Sequence, residues 1–212
     1  HTLEEPGMDT LAAQTYRPLL QPGLHKVIGF ARRAQGLIVA RGNPLGLTSL
    51  ADVARTGARF VNRPLGTGTR VLLTDLLAQA GLEPAEIEGY DRDEPSHAAL
   101  AQAIAAGSAD VGMGIELAAR ARGLDFVPLV YERYHLACLK SSLEQPATRS
   151  LRELLQTPAW QRRMAAMPGY APPPFGDVPA MSRLPPWWNF ARRQGAAPPH
   201  PRTPVRPPPP PR

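Results

Sequence analysis

Apolar positions along the chain fall into short runs punctuated by glycine and proline, and the period of those runs keeps switching between that of a strand and that of a helix. Residues 24–31 and 35–40 read as strands, the second a continuous apolar run of the kind buried on both faces. A Gly/Asn/Pro turn at 41–46 follows, and Ser49 heads a short helix through Ala54. A strand at 58–61, a turn at 62–70 and a helix over 70–80 come next, the helix closed by Gly81. Residues 87–90 read as another short strand. Ser96 then heads a run of strong helix formers that Gly107 stops. Strands at 110–115, 125–130 and 134–139 and helices at 116–122, 148–156 and 158–167 complete the series. Such alternation predicts an α/β fold with parallel-rich sheets covered by helices.

After residue 170 the pattern stops. Fifteen of the 26 prolines lie in the last 42 residues, so 171–212 is expected to be a disordered Pro/Arg-rich tail without a packed core. The tail also explains the charge. Six of its residues are Arg against one Asp, which leaves 18 basic and 17 acidic residues in the preceding 170, out of a total net charge of +6. A nearly neutral body does not support a nucleic-acid-binding face. The single cysteine, Cys138, sits in an apolar run and reads as a small buried hydrophobe. No window approaches the apolar length of a membrane span, so no membrane partner is expected. The chain begins at His1 without a leader pattern, and an upstream segment is expected to have been lost or left out.

The most informative chemistry lies in Asn62-Arg-Pro-Leu-Gly-Thr-Gly-Thr-Arg70, between a strand and a helix. Gly66 and Gly68 allow close backbone approach, and Thr67 and Thr69 are N-cap residue types. Unpaired N–H groups of the first helical turn, the positive end of its dipole and Arg63 or Arg70 together form an anion seat. An ordinary capped turn fits the same residues. The stretch is neither a P-loop, for lack of the GK[ST] lysine, nor a dinucleotide fingerprint, for lack of a third glycine. Ser96 and His97 open a second helix in the same manner, and they join Arg63 and Arg70 as candidate anion contacts.

Several stretches, taken in order, resemble a known family: Gln35-Gly-Leu-Ile-Val-Ala-Arg-Gly-Asn-Pro44, Ser49-Leu-Ala-Asp52, Arg59-Phe-Val-Asn-Arg63, Gly66-Thr-Gly-Thr-Arg70, Gly107-Ser-Ala-Asp-Val-Gly-Met-Gly-Ile115, Gly123-Leu-Asp-Phe-Val-Pro-Leu129 and Glu132-Arg-Tyr134. They are similar to the periplasmic-binding-protein-like (type II) substrate-binding domain of helix–turn–helix transcriptional regulators, related to molybdate-binding proteins. The resemblance covers 1–170. It implies two lobes, lobe I from 1–41 plus 131–170 and lobe II from 42–130, joined by two crossing strands. It also implies that lobe I lacks a β–α stretch found upstream in the family. By resemblance, Thr67, Gly68 and Thr69 match one helix mouth, Gly114 and Ile115 the turn after the apolar strand, and Tyr134 a tyrosine on the return strand.

The expected function is that of a sensor for a small anionic ligand, molybdate or tungstate above all, with no cofactor. DNA would be contacted only through an absent N-terminal helix–turn–helix domain, and a homodimer and a cytoplasmic location go with that reading. Alternatives are a solute-binding receptor of a transporter, periplasmic if a signal peptide precedes His1, and an accessory domain of a molybdenum-cofactor biosynthetic enzyme. No catalytic role is expected, since GxSxG is missing and Cys138 has no evident activating group. No metal site is expected either, because the five histidines lack ligand spacing.

Overall fold

The computed structural model describes residues 2–3, 15, 17–21, 23–171 and 178. The tail and most of the first 22 residues, on which sequence expectations also fall, lie outside the described residues. Two strands of 15 residues each, β2 (His25–Val39) and β5 (Asp125–Leu139), run the length of the molecule and pair antiparallel with each other. The remaining strands attach to this ribbon. They are β1 (Thr2–Leu3) on β5, β4 (Val111–Ile115) on β2, β3 (Phe60–Val61) on β4, and β6 (Tyr170–Ala171) on β2.

Each long strand joins two runs that the sequence pattern separates. The polar gap at Arg32-Arg33 breaks the first apolar run, and Glu132-Arg133 breaks the second. In the folded chain Arg33 and Glu132 stand opposite each other in the β2–β5 register. Opposite charges in register neutralise the interruption, so both strands continue through it.

Among the described residues six helices cover the sheet: α1 (Leu50–Thr56), α2 (Gly68–Gln79), α3 (His97–Ala105), α4 (Glu116–Arg120), α5 (Pro146–Gln156) and α6 (Pro158–Ala165). Ser49, Thr67, Ser96 and Thr157 cap α1, α2, α3 and α6 by accepting a backbone N–H with the side-chain oxygen. α1 and α2 pack on one face of the sheet, where Leu37, Val39, Phe60, Val111 and Met113 meet Val53, Leu72, Leu73 and Leu77. α3 and α4 pack on the other, around Ile38, Val61, Leu100 and Ala119. The far ends of β2 and β5 carry a separate cluster of Ile28, Ala31, Leu155 and Met164.

The α/β fold is a mixed-sheet version of the expected one. Parallel pairing occurs in the β3–β4 ladder and in an isolated bridge between Asn62 and Asp93. The parallel-rich expectation narrows to this region, because the crossing strands must run antiparallel to each other and to β4. The strand expected at 87–90 is instead a turn. Gly89 sits at φ +82°, outside the β region, with its Cα so close to β3 that a Cβ would lie 2.3 Å from the Phe60 carbonyl oxygen. The segment still hydrogen-bonds alongside β3, through Phe60 N–H to Glu88 O at 2.8 Å and Asn62 N–H to Arg92 O at 2.8 Å.

Candidate functional site

The parallel part of the sheet aligns three carboxyl ends on one edge: Val61 of β3, the 88–93 segment beside it, and Ile115 of β4. β4 leads directly to α4, and the other two ends lead through short turns to the starts of α2 and α3. Crevices outside the carboxyl ends of such strands are where α/β folds bind ligands.

At the α2 mouth, the Thr67 hydroxyl donates to Pro64 O at 2.8 Å and accepts from Arg70 N at 3.4 Å. Its hydrogen is therefore committed to the cap. Val71 N–H bonds Thr67 O, so Gly68 and Thr69 are the first-turn residues whose N–H groups have no helical acceptor. The Thr69 side chain is buried. At the α3 mouth, Ser96 Oγ accepts from Ala99 N at 3.0 Å and Ser96 O from Leu100 N at 3.0 Å, which leaves the first-turn N–H group of Ala98 without a helical acceptor.

Arg63 and Arg70 turn out to fasten the loop between the mouths. Arg63 Nη1 donates to Glu94 O at 3.0 Å, and burial lowers its pKa from the ordinary arginine value. Arg70, 7% exposed, donates Nη1 to Tyr90 O at 2.9 Å and lies 4.0 Å over the Tyr90 ring. Its Nη2 is 3.8 Å from Asp91. Buried Asn62 reinforces the junction, its Nδ2 donating to Tyr90 O at 3.0 Å and its Oδ1 accepting from Arg63 N at 2.9 Å. Both arginines are thus engaged with backbone carbonyls, a packing role that was not anticipated for them.

Gly114 lies against His97. A Cβ at Gly114 would be 3.3 Å from His97 Nδ1 and 2.7 Å from Ile38 Cδ1, so the bare backbone is what lets α3 seat on β4. Ile115, next along, is the N-cap residue of α4. Tyr134 lies apart from these mouths along β5, edge-to-face with Phe30 at 5.4 Å and beneath the Arg33 guanidinium at 5.1 Å. The structure therefore gathers Gly68, Thr69, Ser96, His97, Gly114 and Ile115 on one edge of the sheet. Tyr134 joins them only through the crossing strands.

Those strands hold a feature the residue patterns did not single out. Glu132, fully buried, accepts from Arg33 Nε and from Gln35 Nε2, the latter at 2.9 Å. Burial draws the Arg33 pKa down and Glu132 draws it up, and the net direction is upward. The signal was present as two charged interruptions of apolar strands, one of them holding an acid. On the α4 side of the crossing, a cavity of about 370 Å³ is lined by Arg32, Tyr131, Glu116, Arg120, Phe126 and Tyr170, among others. Among the described residues no group of three or more His, Cys, Asp or Glu is placed to hold a metal ion. No helix there is long and apolar enough to cross a membrane.

The model of the PBP superfamily domain matches residues 3–156. Uncharacterized protein YvgK of Bacillus subtilis is 32% identical over 152 residues, which are 72% of this chain and 49% of that protein. The chain thus spans about half the length of that relative. An uncharacterized protein encoded in the 5′ region of a ferredoxin 2Fe-2S gene of Clostridium pasteurianum is 31% identical over 101 residues, 47% of this chain and 89% of that one. Among solved structures, Peb3 from Campylobacter jejuni has a TM-score of 0.52 at 15% identity, covering 70% of this chain and 69% of Peb3. At that identity the likeness is one of fold.

Proposed function

The chain belongs to the PBP superfamily, and we propose that it binds a small anion at the joined helix mouths and serves as the ligand-sensing domain of a bacterial transcriptional regulator. The observation that supports this reading is the convergence of α2 and α3 starts on one sheet edge, where their caps leave the N–H groups of Gly68, Thr69 and Ala98 without helical acceptors. An oxyanion of the size and charge of molybdate or tungstate suits such donors, and so does a small organic acid. The role is binding, with no catalytic step. Movement of the two ends of the molecule about β2 and β5 would bias an attached helix–turn–helix domain in proportion to the ligand's preference for one arrangement over the other. DNA contact, dimer formation and a cytoplasmic location belong to this reading of the whole regulator.

The test is calorimetric titration of the full chain with molybdate, tungstate, sulfate and phosphate, beside the variant Gly68→Pro. Proline is favoured at the first helical position, and Thr67 already has the extended backbone, φ −78° and ψ 146°, that a following proline requires. The variant therefore deletes one donor while preserving the helix. Saturable binding weakened by Gly68→Pro supports the reading, equal binding by both proteins rejects it, and no binding by either rejects its inorganic-oxyanion form.

A further inference from the structure

Gln35 sits where the two halves of the sheet meet, between Ile115 of β4 and Val130 of β5 in the strand registers. It is fully buried. Its side chain shares a face of β2 with Leu37, which packs in the same cluster as Leu72 and Leu73 of α2, and it stands level with the carboxyl end of β4. It therefore lies at the floor of the edge where the helix mouths open. Its amide cannot turn freely. Nε2 donates to Glu132 Oε1 at 2.9 Å, and the flipped amide would set two oxygen acceptors against each other. Oε1 is thereby aimed away from Glu132, and among the described residues no group donates to it. An unsatisfied buried acceptor is costly and uncommon in a folded protein. The Glu132 charge is matched by Arg33, so the floor offers an acceptor without adding net negative charge.

Resting on the anion-binding reading of this edge, we infer that Gln35 Oε1 accepts a hydrogen bond from the ligand, and that the ligand is a small anion carrying its own donor. A protonated oxyanion or a hydroxy acid has that chemistry, whereas a fully ionised tetrahedral oxyanion has only acceptors to present. Inorganic phosphate and sulfate are the matched probes, since near neutral pH phosphate retains a P–OH and sulfate has none. Calorimetry on the full chain is expected to give phosphate binding about tenfold or more tighter than sulfate. In Gln35→Met, of similar volume, the ratio is expected to fall toward one, with sulfate affinity little changed. Sulfate binding as tightly as phosphate to the unaltered protein overturns the inference while leaving the anion site standing. So does an unchanged ratio in a folded Gln35→Met variant. Absence of binding by phosphate, sulfate, molybdate, tungstate and the hydroxy acid glycolate alike overturns the anion site itself. Should Gln35→Met fail to fold, the ratio in the unaltered protein decides alone.

Discussion

Arg33 and Glu132 face each other across the two crossing strands, joined by a charge-assisted hydrogen bond from Nε to Oε1 with the carboxylate fully buried. Removing one partner of such a pair leaves a buried charge uncompensated, whereas replacing both with apolar residues of similar size removes the penalty. Glu132→Ala is expected to lower stability by about 3–5 kcal/mol. Arg33→Met/Glu132→Leu should recover most of that loss. Urea unfolding of the three proteins checks it, and a single variant as stable as the parent would show that the pair does not hold the ribbon together.

Arg70 fastens the Tyr90 turn to α2. Arg70→Met removes the stacking on Tyr90 and the hydrogen bond to its carbonyl, with an expected loss of about 2–4 kcal/mol. Arg70→Lys should restore little, because an ammonium group lacks the planar fork. Thermal melts of both variants decide the matter, and near-parental stability of Arg70→Met would show that these contacts do not fasten the turn.

Gly114 is expected to reject a methyl group for steric reasons alone. Gly114→Ala places Cβ 2.7 Å from Ile38 Cδ1 in a packed layer, and overpacking of this kind costs about 1–3 kcal/mol. Ile38→Val deletes the clashing methyl, so the double variant should be more stable than Gly114→Ala. If the second change makes matters worse, the contact with Ile38 is not what excludes the side chain.

Acid sensitivity should carry a contribution from Asp110. The Arg59 side chain donates to its carboxylate at 2.6 Å and 3.0 Å, and this holds the carboxyl below its ordinary range. A depressed folded pKa adds stability that is complete above the unfolded value of about 4 and is lost as pH falls through the folded value. The pair is partly exposed, so the gain is at most about 1 kcal/mol. Asp110→Asn should be less stable than the parent at pH 7, with the two converging as pH falls through the depressed folded value. A constant difference over that range would show that the ionised form contributes nothing.

Element types were largely legible in the sequence where the pattern was local. Ser49, Thr67 and Ser96 marked their helices correctly, because a cap depends on residues within one turn. The merging of four strand segments into β2 and β5 was not legible, since it depends on Arg33 and Glu132 meeting at a separation of 99 residues. The site divides the same way. Helix mouths at 67–69 and 96–97 announce themselves by composition, while the use of Arg63 and Arg70 on the 90–94 carbonyls, and the locked amide of Gln35, depend on which distant segment lies alongside.

Backbone amide shifts are the most direct measure of whether the helix mouths receive an anion. Titration of the isotopically labelled full chain with phosphate and, separately, with molybdate should move the N–H resonances of Gly68, Thr69 and Ala98 together and saturably for at least one of the two. Shifts that saturate elsewhere, with those three amides unmoved, would contradict the account.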